Sequence, residues 1–231
     1  MQSQQPSRKV SGARRLWPGW PLVALGFIAL ALMPAHAFAS DTGAQIAYTK
    51  VLKGSVPEYE KIAVNTNGSG EYDGRSLNAP PNPQHFQLSA ATSQRLFGLA
   101  AALKDFNGVK LESGKHVADL GLKTLQYDAG GQDYSCQFNY STNRDAQELT
   151  DLLEGIGAVE RHITALNSDL KYDLLGLPEE LTLIQNDLDN SALTDPQIMA
   201  GTLEAIAHDP RVLHFAQVRA RRILQEMSDG N

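Results

Sequence analysis

Residues 120–140, LGLKTLQYDAGGQDYSCQFNY, alternate apolar and polar side chains on either side of Gly130-Gly131, and beyond Asp145 that period of two gives way to spacings of three and four. The alternation predicts two strands, with Tyr134, Cys136, Phe138 and Tyr140 pointing one way and Ser135, Gln137 and Asn139 the other, so one face is core and one is wet. Ala129-Gly130-Gly131-Gln132 supplies the turn. After it, Leu149, Leu152, Ile156, Val159, Ile163, Leu166 and Leu170 recur at helical spacing and predict a single long helix, with Gly155 and Gly157 as its weak point. A hairpin handing over to helices defines an α+β protein.

Upstream, Lys61 to Thr66 reads as a strand, Asn67-Gly68-Ser69-Gly70 as a turn and Glu71 to Leu77 as a second strand. The prolines of Asn78 to Pro83 break regular structure by removing donors and biasing their neighbours to extended backbone. Ser89 is placed to cap a helix over 90–106, whose Leu96, Leu99, Ala100, Leu103 and Phe106 share a face. Residues 40–57 show no sustained period and read as a poorly ordered lead-in. Downstream, Gly176 and Pro178 end the long helix and start a short one marked by Leu181, Ile184 and Leu188. Asp195-Pro196 and Asp209-Pro210 read as cap-plus-proline starts of helices over 196–207 and 210–227. The expected architecture is a small antiparallel sheet from two β-hairpins with a packed helix over 58–143, then a helical part over 144–231 that shares its long first helix with the sheet.

The first 39 residues have the three-part order of a signal peptide. Arg8, Lys9, Arg14 and Arg15 precede Leu22 to Met33, twelve residues without a polar side chain, and Ala35, Ala37 and Ala39 place cleavage after Ala37 or Ala39. The other reading of this segment is an uncleaved anchor in the inner membrane, against which Pro18, Pro21 and Pro34 interrupt the stretch. Arg14-Arg15 supplies n-region charge, and Cys136, the one cysteine, lies too far from the cut for lipidation. Removal of the leader changes the protein's charge. All 26 acidic residues lie at or beyond Asp41, and four of the 20 basic ones precede it, which leaves 16 positive against 26 negative charges, net −10. Such a chain lacks the basic footprint of a nucleic-acid binder, and membrane contact is expected only if the leader is retained. A lone cysteine makes no internal disulfide, so burial alone holds the fold. Asn67-Gly68-Ser69 and Asn139-Tyr140-Ser141 match the glycosylation acceptor pattern at positions where turns or strand ends are expected.

From Ile62 to about Glu160 the chain runs through a glycine-turned hairpin, a Ser-capped helix ending in Asp105-Phe106, Asp119-Leu120-Gly121-Leu122-Lys123-Thr124-Leu125, a Gly-Gly turn, then Asp145 and Leu149 to Leu153. This run resembles exported bacterial domains of unknown function built as hairpin, helix, hairpin and helix. The resemblance implies the fold and carries no catalytic residues. This chain lacks the Cys-x-x-Cys-like stretch common in those domains.

No residue is assigned a catalytic, cofactor-binding or metal-ligating role. Cys136 has aromatic neighbours on its own face and reads as a buried structural thiol. His85, His116, His162, His208 and His214 form no His-x-x-x-His pair, and His208, Asp209 and His214 straddle a helix start. Asp169, Asp173, Glu179, Glu180, Asp187 and Asp189 read as solvated helix faces, and Arg219, Arg221 and Arg222 as complements to the dipole of the last helix. Two functions follow as expectations. One is a non-enzymatic protein that binds another envelope protein, or a second copy of itself through Leu149 to Leu170. The other is a hydrolase with its site between sheet and helices.

Overall fold

The computed structural model describes residues 43–229, so the expected leader lies outside the described residues. Six strands form one antiparallel sheet: β1 Gln45–Val51, β2 Tyr59–Asn65, β3 Ser69–Arg75, β4 Gln84–Gln87, β5 Leu122–Ala129 and β6 Gln132–Phe138, in the order β4-β3-β2-β1-β5-β6. Both expected hairpins are present as β2–β3 and β5–β6, the latter closed by Gly130 and Gly131, both at positive φ. Two strands correct the expectation. The lead-in over 40–57 contains β1, which pairs with both β2 and β5 and is a central strand. Its alternation is masked because the third inward position is Lys50 and the outward Ala47 is small and buried. The chain after the prolines adds β4 as an edge strand, whose buried Phe86 lies opposite Gly70.

α1, Ala90–Ala102, starts as expected, with the Ser89 hydroxyl accepting from the Thr92 N–H. It ends at Leu103, and Lys104 to Phe106 follow as a short 3-10 turn that tucks Phe106 into the core. α2 runs unbroken from Arg144 to Tyr172, capped by the Asn143 side chain accepting from the Ala146 N–H. Its first turns put Ala146, Leu149, Leu153 and Ile156 into the core beneath the sheet. Its later turns put Val159 and Leu166 into a second core with α3 Leu177–Asp189, α4 Ala200–His208 and α5 His214–Asp229. The apolar stripe of α2 is therefore covered within the chain.

Gly155 and Gly157 are where α2 comes closest to its neighbours. A Cβ on Gly157 would lie 2.6 Å from Glu60 Oε1 and 3.2 Å from Ile62 Cδ1 on β2, and one on Gly155 would collide with Thr194 in the loop after α3. Far from being a weak point, the pair lets the helix lie between sheet and loop.

The two Asp-Pro starts behave differently from expectation. Asp195 has a positive φ and caps nothing on its own helix; its carboxylate accepts from the Ser89 N–H at 2.6 Å, tying the loop to the start of α1. Pro196–Met199 is a 3-10 turn leading into α4. Asp209 is engaged by the backbone and guanidinium of Arg211, which delays α5 to His214.

These packing differences have opposite consequences for two glycines in helices. Gly157→Ala is expected to destabilise by about 1–3 kcal/mol through overpacking, in spite of the better helix propensity of alanine. Gly98→Ala in α1, where a Cβ meets nothing within 4 Å, is expected to stabilise by about 0.5–1 kcal/mol. Urea unfolding of both variants checks the pair.

Candidate functional site: a charged seam beneath the long helix

Inward-facing residues on neighbouring strands form rows across the sheet. One row, Tyr72, Ile62, Tyr48, Leu125 and Cys136, is apolar apart from its phenol tips and thiol. The next row runs Glu60, Lys50 and Lys123 on β2, β1 and β5, paired side by side in register. Opposite it, α2 supplies Asp151, Glu154 and Arg161, spaced so that they share one side of the helix.

The two layers complement each other in charge. Glu154 accepts from the Tyr48 hydroxyl at 2.6 Å and from Lys50 Nζ at 3.0 Å. Glu60, with its side chain 7% exposed, is bound by the Arg161 guanidinium. Lys123 is buried and donates to the Asn139 carbonyl at 3.2 Å. Burial raises the Glu154 carboxyl, but the hydrogen bond from Tyr48 and the charge and hydrogen bond of Lys50 outweigh it and leave the group below its ordinary range. Tyr48 is raised by burial and by Glu154, so it stays a neutral donor. Asp151 is raised by partial burial and the nearby Glu154 charge, and Lys123 is lowered by burial.

Three cavities meet at Glu154. One of about 190 Å³ lies beside Lys50, Glu60 and Arg161. Another, about 410 Å³, is lined by Lys123, Asp151, Thr150 and Tyr140. The third, a more open groove of about 780 Å³, continues along α2 past Arg95 and Arg144. Chemically, the seam offers paired charges and a fixed phenol donor. Its two best-placed carboxylates, Glu60 and Glu154, already hold partners.

The structure places the other sequence candidates apart from this seam. Cys136 is buried in the core, which pushes its thiol up to about 11. His208 and His214 sit on successive helices, His208 bonded to the Glu204 carbonyl, and among the described residues no His, Cys, Asp or Glu cluster suits a metal ion. The three arginines lie in the middle of α5 and not in its last turn. Arg221 donates to the Ala207 carbonyl at the end of α4, Arg219 reaches Thr182 on α3, and Arg222 pairs with Glu226. Of the three, Arg221 alone sits at a helix C-terminus, that of α4. Asn67 accepts from Ser69 within its turn, and Asn139 is bonded to Leu120 and Ala118.

Of the acidic helix residues, Glu180 and Asp187 prove not to be a solvated face. They lie two turns apart on α3 and converge on His162 of α2, with Nδ1 2.6 Å from Glu180 and Nε2 3.0 Å from Asp187. Burial disfavours the imidazolium, but both carboxylate hydrogen bonds and both charges favour it, and the balance is raised above the ordinary value. His162 is an inter-helix clamp.

Among the described residues no helix is long and apolar enough to cross a membrane. No protein-family model matches the chain, and no curated protein sequence matches it.

Two expectations follow. Glu154→Ala, which leaves the buried Tyr48 hydroxyl and Lys50 without their acceptor, should destabilise by about 1–3 kcal/mol, and Glu154→Gln by less, since the amide oxygen still accepts from Tyr48. For His162 the folded pKa lies above the unfolded one. Its stabilisation is complete below the unfolded value of about 6.5 and is lost as pH rises through the folded value. The deficit of His162→Gln against wild type should therefore be on the order of 2 kcal/mol near pH ~5.5 and shrink steadily in alkaline buffer. Urea titrations across pH measure both.

Proposed function

We propose that this chain is an exported, non-enzymatic protein that binds another protein of the bacterial envelope, using the sheet face opposite the helices. The observation that carries this reading is the uncovered face itself. The helices pack on the side of Ile46, Tyr48, Ile62 and Leu125, while the other side presents half-exposed Thr49, Lys61, Thr124 and Gln126 around the small Ala47 and Ala63. The five strands of seven or eight residues, about 4.8 Å apart and about 23 Å long, give a surface of roughly 440 Å². That is about half of what a standard interface takes from each partner. The leader-like first 39 residues support export, and the resemblance to exported bacterial domains agrees with it. The acidic balance argues against nucleic acid as a partner.

A hydrolase is the second reading. The pair Asp151 and Glu154 favours it: their environments push the two carboxyls apart, Asp151 up and Glu154 down, beside the cavity of about 410 Å³. Against it, Glu154 already accepts from Tyr48 and Lys50, and Asp151 is exposed.

Photo-crosslinking in cells separates the readings. A crosslinking residue at Thr49, Lys61 or Thr124 is expected to trap one discrete partner, and the same residue at Arg222 on α5 to trap none. Equal or absent adducts at all four sites defeat the binding reading. An adduct of twice the chain's own mass identifies self-association in its place.

A further inference from the structure

We propose that the cavity between β4, α2 and the start of α4 binds a primary ammonium group on a short aliphatic chain, with Glu160 as its anionic anchor. This site is distinct from the charged seam and does not depend on the protein-binding reading.

Glu160 stands apart from every other carboxylate described above. The residue is 3% exposed, and its Oε1 is the one buried side-chain polar atom without a hydrogen-bond partner among the described residues. Leaving a buried acceptor unpaired costs roughly 1–3 kcal/mol, and an unpaired charge costs more. The rest of the molecule satisfies such groups: Glu60 has Arg161, Glu154 has Tyr48 and Lys50, and Glu180 has His162. Glu160 instead lines a cavity of about 300 Å³. Nothing in that cavity opposes it but the neutral amides and hydroxyls of Gln84, Asn167, Thr164 and Thr202 and the imidazole of His85.

The lining selects the ligand's chemistry. A carboxylate flanked by hydroxyl and amide oxygens offers one charge-assisted acceptor and several neutral ones, which suits the three N–H donors of an ammonium. Ile163 and Ile198 give the same cavity an apolar wall for a short carbon chain. The volume equals roughly ten waters and stands at the lower end of ligand cavities, so the ligand is small. A divalent cation is a poor fit, because calcium takes six to eight oxygens, typically from several carboxylates, and Glu160 is the one carboxylate here. Burial also raises the Glu160 carboxyl to about 7, so the anchor is charged in mildly alkaline solution.

The chemistry fits a free amine and a lysine side chain alike, and the test distinguishes them. The purified protein, labelled with ¹⁵N, is titrated at pH ~8 with n-butylammonium chloride or N-acetyl-lysine methylamide, with sodium chloride and 1-butanol as controls. Saturating shifts at the amides of Glu160, Thr164 and Asn167 are expected by about 10 mM, consistent with a Kd near 1 mM or tighter. Saturation by butylammonium alone assigns a free amine, saturation by the lysine derivative alone assigns a side chain, and saturation by both supports an ammonium site that takes either source. Glu160→Gln should weaken binding by about tenfold or more while raising the urea midpoint at that pH, because it removes an unpaired buried charge. Thr164→Val should weaken binding by about threefold and keep the fold. The proposal is overturned if neither amine saturates, if 1-butanol or sodium chloride produces the same shifts, or if Glu160→Gln binds as wild type does.

Discussion

The close approach of α2 to β2 at Gly157, and to the loop after α3 at Gly155, is the constraint on which the rest of the structure depends. A side chain at Gly155 would meet the Thr194 backbone, and one at Gly157 would displace the Glu60 carboxylate that Arg161 holds. With the helix held close, Ile156 enters the core under the sheet and Val159, three residues on, enters the core of the helical part. One rigid element thereby serves two cores. The loop that closes over Gly155 is fastened to α1 by the hydrogen bond from the Ser89 N–H to Asp195.

The same approach creates the charged seam. Inward positions of an antiparallel sheet ordinarily carry apolar side chains, yet Glu60, Lys50 and Lys123 occupy adjacent ones. Glu60 and Lys50 are tolerated because α2 brings complementary groups within hydrogen-bonding distance, Arg161 for Glu60 and Glu154 for Lys50 and Tyr48, while Lys123 donates to the Asn139 carbonyl. Breaking one such pair leaves an uncompensated charge, so the seam specifies how the helix sits on the sheet more than it adds net stability. His162 has a comparable role between α2 and α3, with both ring nitrogens committed to carboxylates.

Polar groups of the interior therefore divide into two kinds. Glu60, Lys50, Tyr48, Glu154 and Arg161 of the seam and His162 of the clamp face partners from another element and are satisfied within the chain. Glu160 has no such partner, and the open cavity it lines is bordered by elements far apart in sequence. The outer sheet face is a third kind of surface, small and polar, on which no helix among the described residues packs and whose β3 side is met by the proline segment 79–83.

The sequence by itself determined every element whose signal is local. Period-two alternation around Gly130-Gly131 gave β5 and β6, the Ser89 cap gave α1, and the stripe from Leu149 to Leu170 gave α2, because each depends on neighbours within a few turns or one hairpin. It left β1 and β4 hidden. β1 carries a lysine at an inward position, and β4 is a short edge strand with one buried side chain. What only the tertiary structure decided was pairing at a distance. Glu154 lies 106 residues from Tyr48, Glu60 lies 101 from Arg161, and His162 lies 18 and 25 from its two carboxylates. A charged residue reads as solvent-facing until its partner is known. The partner is fixed by how close α2 can lie to the sheet, and in one dimension the glycines that allow it look only like flaws in a helix.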